Sequence, residues 1–557
     1  MDPSEYLFTS LPMMHTPLKK ILLLYTDEYY LVKQVYPFGL DIVASFLRAH
    51  GFEVDLDYPF LPGPCLEENL HAILMRTRPD CIGLGIRNID TTMACETYGT
   101  FQGPGFSARY FLPQVKNICT WLGDHVPDIP VLAGGGGFTI SPEAMLKELG
   151  LWYGIYGEGE LPMLKFLKAW PDEDLVQNIP GLVWQDKSGV VRKNPRTSYA
   201  FSPHIPLHRD PKFRYAFETA ALPVQLKRGC NQGCSFCVEP LLEGRTFLHR
   251  DVEEVLDEIQ SLADCYPDVR KIFFIDTEFN IPDLTYPLRL LQGMFNSGLH
   301  EHFRFASQFL PRPFTPELAD LLAKAGFSLV FTCDSFVDSV LRRNGMSYRQ
   351  KDILQTLDLC AEYGLDHTVD LIFGLPGESW KSLDQTLELM QRYAPSPWRR
   401  YEYTIGARIY HNTPLSRVLT RPGETVHIHG RRTPGMLEPC FYCSPEPPLT
   451  LKKYIDAALP FALEFRNSCD ARQQQRLGVC WLTDQKRWEE VADMFFRLDL
   501  ASQAEVYAYV FRSLIRDNEI DMARSLLEYI RAEMTEDGGY VQALVMVRYY
   551  LGLLDQG

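Results

Sequence analysis

The sequence predicts an α/β protein in three parts: an N-terminal doubly wound, Rossmann-like parallel sheet, a central partial (β/α)6 barrel and a C-terminal α-helical domain. Three observations carry this. Short apolar runs alternate with amphipathic stretches from Lys19 to about Trp170. The same alternation resumes at Val224 and ends near Tyr410, after a Pro-containing linker. From Lys452 onward the apolar spacing is helical almost throughout. Alternating strands and helices imply parallel sheets, whose ligands sit at the carboxyl ends of the strands. At 557 residues the chain exceeds what one core supports. The expected division is 1–178 for the first sheet, 179–222 for a hairpin and linker, 223–415 for the barrel, and 416–557 for an irregular segment and helical domain.

Each element has a local reason. KILLLYT is an apolar strand, PFGLDIVASFLRAHG an amphipathic helix closed by Gly51, and FEVDLDYPF a strand. LEENLHAILMRTRPD, ARYFLPQVKNICTWLGDHVP, SPEAMLKELG and LPMLKFLKAW read as helices, with CIGLGIRNID, DIPVLAGGGG and LWYGIYGEGE as the strands between them. IPGLVWQDKSGVVRKNPRT reads as a hairpin turning at Lys-Ser-Gly. In the barrel VQLKRG, KIFFIDTEFN, FRFASQFL, SLVFTCDS, HTVDLIFGLPGE and YEYTIGARIY are the six strands. The Pro- and Gly-rich stretch 415–450 reads as irregular.

Composition narrows the function. The formal net charge is −16, which argues against a nucleic-acid surface built on clustered Lys and Arg. No run of apolar residues is long enough for a membrane span, and the first residues lack the charged and apolar regions of a signal peptide. The expected location is a reducing cytoplasm. Most of the 14 cysteines, such as Cys81, Cys119, Cys265 and Cys360, stand alone in apolar settings and read as buried thiols. Cys440 and Cys443 form one close pair, read as ordinary thiols.

The loop GCNQGCSFC is different. Cys230, Cys234 and Cys237 are spaced C-x3-C-x2-C directly after the first barrel strand, where a barrel places its chemistry. Structural zinc takes four protein ligands, and no fourth Cys or His follows at finger spacing. Three thiolates can hold three corners of a [4Fe–4S] cube and leave the fourth iron open. Phe236, in the last gap, is placed to shield such a cluster from water.

This motif, in this place, resembles the radical S-adenosylmethionine (SAM) superfamily, and four later segments extend the likeness. FFIDTEFN resembles the segment that meets the SAM amino group, which implicates Asp276, Glu278 and Asn280. TCDSFVDSVLRRNGMSY offers Asp334 and Ser335 for ribose or carboxylate. DLIFGLPGES supplies Gly374, Gly377 and Glu378 near adenine, and GARIYHNTPL supplies Ile409 and Tyr410. The resemblance implies a SAM-chelating [4Fe–4S] cluster, a 5′-deoxyadenosyl radical and an external one-electron reductant of flavodoxin or ferredoxin type.

With the first sheet in front, the chain resembles the cobalamin-binding, methylase-type class of that superfamily. Gly134, Gly135, Gly136, Gly137 and Phe138 follow one strand, and Gly157 and Glu158 follow the next. Glycines let the backbone approach a large ligand, although the same residues also make a tight strand-to-helix turn. The loop YTDEYYLVKQVYPFG has no His for the lower face of cobalt, and Tyr29, Tyr30 and Lys33 are poor ligands. Arg87 and Asn88, after the third strand, are the candidates there; a pairing of Arg87 with Asp90 or another acid is the competing role. The class implies methyl transfer from SAM through methylcobalamin to carbon of a small-molecule or peptide metabolite, as in natural-product biosynthesis. Its alternatives are cyclisation or rearrangement, or a non-radical methylation of the tryptophan C2 type. For the latter a general base matters, with Glu239, Glu278, Tyr403 and His411 as candidates; Glu278, Tyr403 and Arg87 are the catalytic expectations.

Overall fold

In the computed structural model, residues 18–27, 35–60, 65–197, 209–461, 463–465, 471–535 and 539–556 are described. Tyr29, Tyr30 and Lys33 lie outside the described residues.

The first sheet holds β1 (Lys20–Tyr25), β2 (Glu53–Asp57), β3 (Cys81–Gly85), β4 (Val131–Gly134), β5 (Tyr153–Ile155), β6 (Leu182–Gln185) and β7 (Val191–Lys193). Their order is β2-β1-β3-β4-β5-β6-β7. β1 to β5 are parallel, with Ile21 opposite Cys81 and Leu24 opposite Asp57. The interior strands are apolar because both faces are covered: β1 buries Ile21 to Tyr25 and β3 is buried throughout. The helices Phe38–Ala49 and Glu160–Ala169 pack on one face, and Leu66–Thr77, Leu112–His125 and Pro142–Leu149 on the other. The hairpin 179–197 does not stand apart. It joins the sheet antiparallel, with Gly154 opposite Val183. The strand order reverses between β1 and β3, so the crevice for a ligand opens at their carboxyl ends.

The second sheet holds β8 (Leu222–Val224), β9 (Lys271–Phe274), β10 (Arg304–Phe309), β11 (Phe327–Asp334), β12 (Asp366–Phe373), β13 (Arg399–Ile405) and a short parallel addition, β14 (Glu464–Phe465). All run parallel and in this order, an open barrel wall. Burial alternates along it. Phe309, Leu329, Phe331, Val369, Leu371 and Phe373 face the helices and are buried. Ala306, Gln308, Thr332 and Asp370, on the opposite face, line a cavity. A barrel strand therefore carries its polar residues at every second position on the lumen side.

The stretch 415–450 is more ordered than its composition suggests. Ile428–Gly430 and Ala407–Arg408 flank Cys440–Tyr442 in a small antiparallel sheet. Helices Pro448–Ala458, Ala471–Asp484, Trp488–Arg497, Leu500–Arg516, Ile520–Glu533 and Val541–Gln556 complete the chain. Ala471–Asp484 packs back on the residues between the sheets, where Asp484 accepts from the Tyr215 amide at 2.7 Å. Cys81, Cys119 and Cys360 are buried as expected, but Cys265 is exposed, because it ends its helix and points off the apolar face.

Two buried polar contacts join the sheets. Arg408, in the small sheet just past the last long barrel strand, pairs with Asp90 at 2.7 Å, and both side chains are at most 2% exposed. Arg228, in the cluster-loop approach, pairs with Glu160 at 2.9 Å.

Candidate active site between the two sheet edges

The carboxyl ends of both sheets open onto one cavity of about 1320 Å³. Its first wall is built largely by omission. Gly83, Gly85, Gly134, Gly135, Gly136, Gly157 and Gly159 line it. Gly135 has φ +95°, and a Cβ there would lie 2.5 Å from the Ile86 carbonyl oxygen. Thr139 ties this wall together, donating to the Gly135 carbonyl at 2.8 Å and accepting from the Gly157 amide at 3.0 Å. Such a surface admits a flat, amide-rimmed macrocycle against its backbone.

Arg87 lines the same cavity, with its side chain 45% exposed, and stands 3.6 Å from Asp27. Asp27 also accepts from Asn88 at 3.2 Å. Asp27 is thus the acid beside Arg87, whereas Asp90 is taken by Arg408. Asn88, Gly137 and Phe138 are not among the lining residues. Phe138 is fully buried under Gly154, where an added Cβ would meet its ring at 2.2 Å. Glu158 does line the cavity.

The opposite wall is made of side chains. Cys230, Cys234, Cys237 and Phe236 line it together. The loop is fixed at several points: the Cys230 amide donates to Gly244, the Gly229 amide to Glu243 at 2.9 Å, and the Ser235 hydroxyl to Asn344 at 2.8 Å. Gly229, at φ +100°, leaves no room for a Cβ, which would sit 2.2 Å from the Thr246 carbonyl oxygen. Among the described residues no three His, Cys, Asp or Glu side chains converge on the position of one metal ion. A cube asks for thiols spread round a void, one for each of three separate irons. Burial pushes the Cys237 thiol up to about 12, and raises Cys230 and Cys234 as well. Cationic iron at this place would reverse that balance, since metal binding deprotonates thiols.

Beside the thiols the lining is acidic: Glu239, Glu243, Asp276, Glu278, Asp334 and Asp370. Glu278 accepts from Thr332 at 3.1 Å, and its other oxygen is buried without a partner. Burial, reinforced by Asp334, raises its pKa to about 8. A buried carboxylate with an orphaned oxygen favours a cationic ligand such as the ammonium of SAM. Burial likewise lifts Glu239 to about 7, with Glu243 adding to the effect and Arg87 opposing it.

Several expected contacts have other work. The Asp276 carboxylate accepts from the Leu226 and Lys227 amides at 2.8 to 3.0 Å, so it anchors the approach to the cluster loop. Asn280 is buried and bridges the backbone of Leu310 and Pro313. Ser335 is buried and accepts from the Val337 amide. Asp334 lines the cavity and accepts from Tyr348 at 2.6 Å.

Gly374 (φ +90°) and Gly377 (φ +91°) make a turn beneath which buried Glu378 accepts from the Gly374 amide; neither lines the cavity. Ile409 and Tyr410 are also outside it. Ile409 is fully buried, and Tyr410 stacks over the Arg408 guanidinium at 4.8 Å, in the contact between the two sheets. Tyr403 is a correction. Its hydroxyl donates to Asp456 on the helix Pro448–Ala458, away from the cavity, so it is not placed to act on a substrate there. His411 is exposed and lines neither the cavity nor its rim. Cys440 and Cys443 are fully buried outside the cavity.

Gln308, Thr332, Asp370, Glu243 and Thr139 are lining residues that motif reading missed. For the barrel residues the signal was present, a polar residue at alternate positions of an apolar strand.

Residues 224–390 match the family model described as the radical SAM superfamily. The chain therefore carries a radical SAM domain over that stretch. It is 26% identical over 419 residues to tryptophan 2-C-methyltransferase of Streptomyces laurentii, covering 64% of this chain and 67% of that protein. Its fold matches the radical SAM methyltransferase TsrM of Kitasatospora setae, solved with cobalamin and a [4Fe–4S] cluster, at TM-score 0.65. That match has 21% identity and covers 86% of this chain and 99% of that one. The cobalamin-dependent SAM radical enzyme OxsB, solved with aqua-cobalamin, matches at TM-score 0.62 and 15% identity, over 96% of this chain and 75% of that one. The three-part fold is therefore one that this chain shares with both of these structures.

Proposed function

We propose that this protein is a cobalamin-dependent radical SAM methyltransferase that moves a methyl from SAM to carbon of a small-molecule or peptide substrate. One observation carries the reading: a glycine-paved sheet edge and a three-thiol loop line the same cavity. When bound, cobalamin supplies a nucleophilic cobalt for methyl relay, and the cluster supplies single electrons to SAM.

Cys230, Cys234 and Cys237 hold three irons of the cluster. Glu278 meets the SAM ammonium, with Thr332 orienting its carboxylate. Asp276 keeps the loop in place, and Phe236 excludes water from it. Gly134, Gly135, Gly136 and Gly157 give the corrin its backbone surface. Arg87, oriented by Asp27, would lie against bound cobalamin and place a positive charge beside it. Glu239 and Glu278 are the candidate bases within the cavity, since burial brings the titration of each near neutral pH and a cation bound beside it would favour the proton-accepting carboxylate.

The Kitasatospora enzyme was solved with tryptophan and a SAM analogue, so tryptophan and tryptophan-containing peptides are the first substrates to test. Among the described residues no helix is long and apolar enough to cross a membrane. A compartment that keeps thiols reduced, such as the cytoplasm, suits the three loop thiols. An external flavodoxin- or ferredoxin-type protein is the natural electron source.

The test is product analysis under anaerobic reduction. Methylated substrate with S-adenosylhomocysteine is expected. Accompanying 5′-deoxyadenosine marks a radical route, and its absence a non-radical one. 5′-Deoxyadenosine with no S-adenosylhomocysteine would replace methyl transfer with cyclisation or rearrangement.

A further inference from the structure

The cluster loop has two sides. Cys234 and Cys237 line the large cavity, and they also line a second cavity of about 380 Å³ on the outer side of the same loop. Arg245, Asn412, Ser416 and Arg417 complete that outer cavity. The segment above it is clipped to the loop: the Leu415 amide donates to the Ser235 carbonyl at 2.8 Å. A second clip holds its far end, where Arg343 and Tyr442 both donate to Glu424.

Charge here runs against that of the whole molecule. The chain carries −16, yet residues 411–432 hold Arg417, Arg421, Arg431 and Arg432 against one acid, Glu424. That acid is already engaged by Arg343. Arg245, Arg417 and Arg421 are exposed.

We propose that this outer face is the docking site for an acidic one-electron carrier protein of the flavodoxin class. The proposal rests on the functional reading above, and adds where the electron enters. One electron passes from the donor's flavin hydroquinone anion, leaving the neutral semiquinone, to the cluster; no bond forms or breaks. The thiols bring the cluster within one loop's thickness of this face, and the arginines attract an acidic partner despite the repulsion of the remainder. An RNA occupant is less favoured, because a nucleic-acid footprint neutralises about six to ten phosphates and this patch offers fewer cations.

The test compares reconstituted wild-type holoenzyme with the Arg417→Glu/Arg421→Glu variant. Iron content and circular dichroism serve as checks of folding. Affinity for oxidised flavodoxin is read by fluorescence anisotropy at low and high salt, and retention of bulk tRNA by filter binding. Cluster reduction is read by absorbance, once with reduced flavodoxin and once with Ti(III) citrate.

The proposal expects flavodoxin affinity to fall by about tenfold or more, the wild-type affinity to weaken with salt, and Ti(III) reduction to stay unchanged. Arg417→Lys/Arg421→Lys should retain most of the affinity. Unchanged flavodoxin affinity in the charge-reversed variant overturns the proposal, as does loss of bulk tRNA retention with flavodoxin affinity intact. If Ti(III)-driven wild-type turnover yields no S-adenosylhomocysteine, the methyltransferase reading falls, while the affinity comparison still decides the docking face.

Discussion

The two walls of the cavity solve opposite problems. The first sheet's edge works by withholding side chains, with eight glycines of that domain lining the space. The barrel's edge works by supplying them, three thiols and six carboxylates. A wall of glycine fails when filled, and a wall of ligating side chains fails when emptied. The same substitution chemistry should therefore act in opposite senses on the two sides.

The largest effect is expected on the emptied side. Cys230→Ala, Cys234→Ala or Cys237→Ala should lower iron from about four per chain towards none, and abolish product, while cobalamin remains bound. Iron and cobalt analysis of the same sample checks it. Next comes the seam between the walls. Arg408→Met leaves the buried Asp90 without its ion-pair partner, which costs roughly 3–5 kcal/mol. Denaturant unfolding should show this loss, and Asp90→Asn/Arg408→Met should recover part of it.

On the filled side, Gly134 has no positive φ and a Cβ added there meets only the Ile155 carbonyl oxygen, at 3.5 Å, so Gly134→Val keeps allowed backbone geometry. It should fold and keep its iron, yet bind cobalamin at least about tenfold more weakly, or about 1.4 kcal/mol. Equilibrium titration of the apoprotein with cobalamin measures this. Loss of iron in Gly134→Val would break the division of labour between the walls.

The last effect is read as a pH dependence and lies in the turn below the barrel rim. Burial raises Glu378 to about 8. Folded protein thus keeps a proton that the unfolded chain releases near its ordinary value of 4.5. Stability contributed by that retained proton is present at low pH and lost as pH rises from about 4.5 to 8, with a slope of at most about 1.4 kcal/mol per pH unit. Glu378→Gln should flatten the melting-temperature profile across that window.

The division also explains what the sequence made legible. The sheets were readable because buried strands must be apolar and helices must be amphipathic. The thiols were readable because three cysteines at this spacing have few other uses. Gly134 to Gly136 and Gly157 could be placed at a strand end, where glycine has a geometric reason.

Carboxylates were harder. Asp276 and Asn280 belong to the expected segment, but backbone amides and carbonyls claim their polar atoms, a competition that no motif reveals. Tyr403 sits on a strand whose alternation turns its ring outward to Asp456. Asp27 became visible as the partner of Arg87 only when β1 and β3 were placed side by side. Arg228 with Glu160, and Arg408 with Asp90, join residues far apart in the chain and carry no local signature.

The central claim is that both cofactors face one space. Pulsed dipolar EPR of the reduced holoenzyme, with cob(II)alamin and the one-electron-reduced cluster as the two spins, tests it most directly. The shared cavity predicts a strong, resolved coupling between them. Two spins that relax and resonate independently, in protein loaded with both cofactors, would contradict it.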